Sequence, residues 1–357
     1  MKVYESKILG PDSIHVRSQD YRKTFTVTDG PIRPGGKYTN TEPSYESADG
    51  LEQYSRAGGC GYNASKSLRK VPRSVDVTVR LIDESTPQKL ILDRISGWDI
   101  EPVFLNGRGL GHNLVISYDG DKIIIRGPID LPKSLKDSDY ELIRKKLYGA
   151  DGLLINNVKH PQMASVLIDA AKEMRIPIYF GATTSPSIDF VATNFLPRVP
   201  STISYEDLAK FYGLSTEDIA NIRPNELIDA TSQFLKELVL RDLFGDFPTV
   251  VTLGSQGMIT RTASGVTRHT VLDPPHTERV RTHLLGDVRG SLGGGDYFTG
   301  AWFDQLTARS LTGELDTRTI QPDELEKIVK RANIHALEVM RYNGRKPSLS
   351  SFTTRPL

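Results

Sequence analysis

From about residue 130 the chain alternates amphipathic helix with short apolar strand, and that rhythm restricts the fold more than any other feature. A helix near Ser138–Lys146 precedes Gly152-Leu153-Leu154-Ile155-Asn156, and a helix from Pro161 to Met174 precedes Ile176-Pro177-Ile178-Tyr179-Phe180. After an irregular stretch, Tyr205–Tyr212 and Leu227–Leu243 read as helices ahead of Thr249-Val250-Val251-Thr252-Leu253. Strands this short and apolar are buried on both faces, and strands joined through helices run parallel. The expectation is an α/β fold, a parallel sheet with helices on both sides. Ligands of such sheets bind beyond the carboxyl ends of the strands. Gly254-Ser255-Gln256-Gly257 stands at one of those ends. A last amphipathic helix over 323–343 carries Leu325, Ile328, Val329, Ala332, Ala336, Val339 and Met340 on one stripe, with Asn333 as a core or ligand-facing polar residue.

The amino-terminal part has another texture. Lys7–Val16 and Tyr21–Val27 are strand-like, the second alternating and rich in Thr and Val. Residues 29–50 hold Gly, Pro, Ser, Thr and Tyr with few aliphatics, which reads as a loop or a β-hairpin excursion. Ser74–Ile82 is a Val-rich strand, Gln88–Ile95 has helical periodicity, and Asn113–Tyr118 with Lys122–Arg126 flanks the hairpin turn Asp119-Gly120.

Chemistry concentrates at two glycine-rich stretches. Gly293-Gly294-Gly295-Asp296 leads into a helix with Phe298, Ala301 and Trp302 at helical spacing. Glycines let a ligand approach bare N–H groups, and a helix N-terminus adds partial positive charge, so the pair suits a phosphate or a developing oxyanion. Asp296 at that mouth either takes a proton from an attacking hydroxyl or caps the helix. Gly58-Gly59-Cys60-Gly61-Tyr62-Asn63-Ala64 opens a small-residue helix in which Asn63 is either a cap or a ligand contact. Lys66-Ser67 follows, but Ser65 occupies the position where a P-loop needs Gly, and the spacing is one residue too long. Gly107-Arg108-Gly109-Leu110-Gly111 precedes a hairpin rather than a helix, which argues against a dinucleotide oxidoreductase.

With a formal net charge of +1 over 357 residues and no basic cluster, the chain offers no field for nucleic acid or an anionic membrane. The lone Cys60 excludes an internal disulfide, and Met1–Lys7 lacks the apolar core of a signal peptide. A cytoplasmic location is expected.

Three segments in order resemble the ribokinase (PfkB) carbohydrate kinases. Gly58-Gly59 with Asn63-Ala64 resembles their first signature, and Val251–Gly257 their nucleotide-binding strand and turn. Gly293–Ala301 resembles their second signature, whose Asp is the catalytic base, and Arg331-Ala332-Asn333 their closing helix at the adenine pocket. The resemblance implies one ribokinase-like three-layer α/β/α domain over 1–357, with a central mostly parallel sheet. A small β-strand lid would come from about 7–50 and 113–126. It implies transfer of the γ-phosphoryl of ATP, with Mg²⁺, to a hydroxyl of a sugar or nucleoside. Asp296 would be the base, and Gly293, Gly294 and Gly295 the anion hole. Asp12, Gly58, Gly59 and Asn63 would bind the acceptor; Thr252, Gly254, Ser255, Gly257 and Asn333 the nucleotide. Lid strands in this family often pair between subunits, so a homodimer through the lid is the partner it implies.

The sequence departs from the pattern in places. Gly290-Ser291 (or Ser291-Leu292) stands where the second signature usually begins with Asp-Thr. The Asn-x-x-Glu motif of the metal region falls on Ser204-Tyr205-Glu206-Asp207, leaving Asp207 as the metal-side carboxylate. A catalytically weak relative that binds a sugar or nucleotide as a sensor or assembly partner is therefore the alternative, and an ADP-using kinase a third reading.

Overall fold

The computed structural model describes residues 5–10, 13–17, 22–26, 31–32, 37–39, 60–68, 74–80, 100–106, 113–118, 121–126, 135–156, 158, 161–182, 199–205, 207–208, 226, 229, 231–233, 247–253, 257–269, 294–313 and 320–341. Its centre is a six-stranded sheet of β9 (Leu153–Asn156), β10 (Ile178–Ala182), β11 (Ser201–Ser204), β12 (Thr249–Thr252), β13 (Met258–Thr262) and β14 (Gly265–His269). Spatial order follows chain order. The first four strands are parallel, and β13 and β14 return antiparallel at one edge. The sheet is thus mixed. Gly257, at φ +104°, occupies the left-handed region in the link between β12 and β13, a conformation that favours glycine.

Alternation along two strands shows helices on both faces. Leu153 and Ile178 pack with the cluster of α2 (Asp137–Leu147) and α3 (Pro161–Glu173), made of Ile143, Leu147, Met163, Leu167, Ala170 and Ala171. Their neighbours Leu154 and Tyr179 pack with the opposite cluster, which holds Trp302, Leu306, Leu325 and Ile328 from α4 (Gly294–Leu311) and α5 (Pro322–Arg341). Successive strand residues point to opposite faces, so the two clusters are the two sides of one sheet. The architecture is three-layered. Helix α4 is buried around much of its circumference, with Tyr297, Phe298, Trp302 and Leu306 all inside. Helix α5 covers it with the stripe read in the sequence: Leu325, Ile328, Val329, Ala332, Ala336 and Val339 are buried. Each large apolar side chain so buried contributes about 1.5–3 kcal/mol.

The short helix α1 (Cys60–Ser65) packs on α4 and on β5 (Ser74–Arg80), which pairs in parallel with β6 (Ile100–Asn106). The amino-terminal strands differ from the sequence reading. Lys7–Val16 is two strands, β1 (Glu5–Gly10) and β2 (Ser13–Arg17), antiparallel with Gly10 opposite Ser13. The expected strand is thus divided between Gly10 and Ser13, where the sequence carries the turn formers Pro and Asp. Strand β3 (Arg22–Thr26) completes that sheet. Within 29–50 the described residues include β4 (Lys37–Thr39), which joins β8 (Asp121–Arg126) in parallel; the rest of the segment read as a loop or hairpin excursion lies almost wholly outside the described residues. Strands β7 (Asn113–Tyr118) and β8 form the expected hairpin, Tyr118 opposite Asp121, and β1 lies near β7. The helices read at Gln88–Ile95, and most of Tyr205–Tyr212 and Leu227–Leu243, lie outside the described residues.

Candidate active site

Helix α1 and the first turn of α4 meet at the carboxyl end of the sheet, and the meeting is built from small residues. A Cβ on Gly300 would stand 2.0 Å from the Ala64 carbonyl oxygen, so this glycine is what lets the two backbones approach. One turn towards the N-terminus of α4, the Asn63 amide Nδ2 donates to Asp296 Oδ2 at 3.2 Å, across 233 positions of sequence. Both residues are half-buried. Beside them the space opens: among the described residues a Cβ on Gly295 would meet nothing within 4 Å, and Gly295 is exposed. No described neighbour gives Gly295 a packing reason to be glycine. What it leaves is room over the positive end of an 18-residue helix.

The sheet edge below fixes both helices. Asn156, Gly181 and Thr202 stand in one register row across β9, β10 and β11. Asn156 Nδ2 donates to the Cys60 carbonyl at the start of α1, 3.0 Å away. Thr202 and Thr299 are buried with their hydroxyls 2.8 Å apart, and Thr299 Oγ1 donates to the Gly295 carbonyl at 2.9 Å. Gly181 between them is small of necessity: a Cβ there would lie 2.7 Å from Asn156 Oδ1 and 2.8 Å from Thr299 Cγ2. At the other end of α1, the Ser67 carbonyl lies 2.8 Å from Nε2 of the buried His335 on α5.

The residues singled out in the sequence fall as follows. Asp296, Gly294, Gly295 and Asn63 come together. Thr252 ends β12 opposite Ser204 of β11, and its hydroxyl reaches the Ile203 carbonyl at 3.5 Å. Gly257 is buried, and its carbonyl accepts from the Leu253 N–H at 2.8 Å. Asn333 is half-buried on α5, two residues before His335. Asp12, Gly58, Gly59, Gly254, Ser255 and Gly293 lie outside the described residues.

Asp207 serves locally. Its backbone N–H donates to Ser204 Oγ at 3.2 Å, and the Ser204 hydroxyl donates back to its carboxylate at 2.5 Å, a reciprocal cap on the turn that follows β11. The Asp207 side chain is buried. Magnesium is held by one or two carboxylates together with substrate phosphates. A carboxylate buried and engaged by a neighbouring hydroxyl fits direct coordination poorly. Among the described residues no group of three His, Cys, Asp or Glu side chains gathers as a metal cluster. Next to the cap, burial pushes the Tyr205 hydroxyl pKa up from its ordinary 10.0.

The sequence alone gives no role to Asn156, Gly181 or Thr202, nor to Thr299 and Gly300 within the second-signature match. Two signals were present: Asn156 ends the apolar run Leu153-Leu154-Ile155, and Gly300 sits inside a helix, where glycine needs a packing or functional reason.

A three-layer mixed sheet with a glycine-opened helix at its carboxyl end is the fold of ribokinase-like proteins, and comparison with solved structures bears this out. The chain superposes on adenosine kinase of Trypanosoma brucei brucei with a TM-score of 0.58 at 12% identity, covering 87% of this chain and 91% of the other. On Anopheles gambiae adenosine kinase, solved with P1,P4-di(adenosine-5) tetraphosphate, the TM-score is 0.55 at 13% identity, covering 89% and 91%. On ribokinase of Giardia lamblia it is 0.52 at 16%, covering 82% and 84%. No protein-family model matches the chain, and no curated protein matches it. Among the described residues no helix is long and apolar enough to cross a membrane.

Proposed function

We propose that the chain is a phosphotransferase that moves the γ-phosphoryl of ATP to a hydroxyl of a sugar or nucleoside, with Asp296 as general base. The observation that carries the proposal is the Asn63–Asp296 contact at the open N-terminus of α4. It joins a carboxylate, an amide able to hold an acceptor hydroxyl, and an anion-favouring helix end. Phosphoryl transfer asks for little else: an in-line acceptor, a base within hydrogen-bond reach, and donors for the equatorial oxygens. Asp296 would accept the acceptor proton while Asn63 fixes one of its oxygens. The N–H groups around Gly294 and Gly295, with Gly293, would face the transferring phosphoryl. Thr252, Gly257 and the intervening Gly254 and Ser255 would lie along the nucleotide, with Asn333 beside the base. Gly58, Gly59 and Asp12 would complete the acceptor side under the β lid. The folds of adenosine kinases and a ribokinase support the class of reaction. Magnesium would arrive with the ATP phosphates and supply charge neutralisation there.

A panel of sugars and nucleosides, assayed for ADP release with ATP and Mg²⁺, tests the proposal. Acceptor-dependent release that vanishes in Asp296→Asn is the expected result; equal release from the variant would remove Asp296 from the role. The engaged state of Asp207 favours one second reading, a protein that binds sugar or nucleotide and turns over weakly. Binding of ATP without release across the panel would select it.

A further inference from the structure

We infer that Thr202 and Thr299 form a buried two-hydroxyl clamp that orients the peptide between Gly295 and Asp296, making both threonines positioning residues for the anion site. The inference rests on the reading of α4's N-terminus as that site. Thr299 has one hydroxyl hydrogen, and it goes to the Gly295 carbonyl at 2.9 Å. The 2.8 Å contact with Thr202 must then be donated by Thr202. The direction of the chain is fixed: Thr202 on the sheet donates to Thr299, and Thr299 donates to the first turn of its own helix. Both side chains are buried, with 2% and 3% exposure, so water does not compete for either bond.

The carbonyl so held belongs to the same peptide unit as the Asp296 N–H. A peptide is planar, so fixing its oxygen fixes its N–H in the opposite direction, towards the N-terminal end of the helix. This peptide needs the support. Gly294 and Gly295 precede it, and glycine gives the backbone freedom to rotate a peptide out of helical orientation. A Thr hydroxyl bonded to the carbonyl four residues back is common in helices and by itself ties the helix only to itself. Here the second hydroxyl anchors it to β11, in a row where Gly181 leaves the space that the Thr299 methyl occupies. The sheet thereby sets the direction of one donor and the height of the carboxylate that follows it.

The test compares Thr299→Val, which keeps the shape and removes the hydroxyl, with Thr299→Ser, which keeps the hydroxyl, and with Thr202→Val. Loss of one donor to a developing anion typically costs about 10²–10³-fold in kcat. A misdirected but present donor is expected to cost about tenfold or more, with the acceptor KM within about twofold of wild type. Thr299→Ser is expected to restore the rate. Thr202→Val should fall on the same side, and the double variant should lose no more than Thr299→Val alone, since the two act in series. An unchanged kcat in Thr299→Val, an equal loss in Thr299→Ser, or a loss confined to KM would overturn the clamp. If the wild-type chain turns over no acceptor, the kinase reading fails, and hydrogen exchange of the segment spanning 294–300 decides the clamp alone. Exchange about tenfold faster in Thr299→Val and unchanged in Thr299→Ser is expected from loss of the pinned turn. The same exchange in all three proteins would overturn it.

Discussion

Replacing Gly300 by Ala sets helix propensity against packing. In a helix interior Ala is favoured over Gly by about 1 kcal/mol. At this position the new Cβ would lie 2.0 Å from the Ala64 oxygen, 2.7 Å from its carbonyl carbon and 2.8 Å from its Cα. All three are backbone atoms, which no rotamer change can move. Contacts under 3.0 Å are essentially never seen, so α1 must withdraw by about 1 Å. Overpacking of this kind costs about 1–3 kcal/mol, which leaves a net loss of up to about 2 kcal/mol. The withdrawal also stretches the Asn63–Asp296 contact from 3.2 Å to about 4 Å, beyond hydrogen-bond range. A misplacement of about 1 Å at a reacting centre can cost about 10²-fold in rate. Urea midpoints and ADP release measured on the same preparations read the two effects separately. A Gly300→Ala protein as stable as wild type and equally active would refute the close approach of α1 and α4.

Gly295→Ala is the complementary change: with no described residue within 4 Å of the new methyl, stability should hold or rise by up to about 1 kcal/mol while turnover falls, and unchanged turnover would take the ligand elsewhere. Asp296→Asn should bind ATP with wild-type affinity, measured by calorimetry, and lose most phosphoryl transfer. Ser204→Ala removes the cap that holds Asp207 and should cost about 1 kcal/mol or more in urea unfolding; a sharp loss of activity at unchanged stability would give Ser204 a role at the site. Tyr205 carries a buried hydroxyl without a hydrogen-bond partner among the described residues, so Tyr205→Phe should be neutral or stabilising at pH 7 by up to about 1 kcal/mol. Because burial raises its folded pKa above 10.0, its contribution is complete below pH 10 and declines as pH rises through the folded value. The Phe variant should therefore lose less stability than wild type in melts between pH 9 and 11.5, and a greater loss would contradict the sign.

Periodicity carried the helical layers and the parallel strands well, because those elements are defined by what each residue buries. The α5 stripe is an example: six of its seven apolar positions are buried as read, and the seventh, Met340, lies outside the described side chains. Turn chemistry gave the β7–β8 hairpin, since Asp119-Gly120 is local. The pairing of β4 with β8 was not legible, because three residues, Lys37–Thr39, carry too little pattern to choose a distant partner. Asp296 and Asn63 were found separately by their glycines; that they touch depends on Gly300 and Ala64, whose closeness is a property of two packed helices. The threonine pair was invisible for the same reason. Single threonines in a strand and a helix have no pattern until the strand and helix are stacked.

The six strands lie side by side in the order in which the chain produces them. Each strand from β10 onward can add to an edge already formed by its predecessor, so the sheet grows by short-range steps with modest loop-closure cost. The site does not share this economy. Its two halves, on α1 and α4, wait for a contact spanning 233 positions. The sheet can exist before the site does, whereas the site cannot exist before the sheet is complete to β11 and α4 has docked on it. The proposed transfer would therefore report the seating of α1 on α4, and a preparation with native-like secondary structure but an unseated α1 would be folded by circular dichroism and silent in the assay.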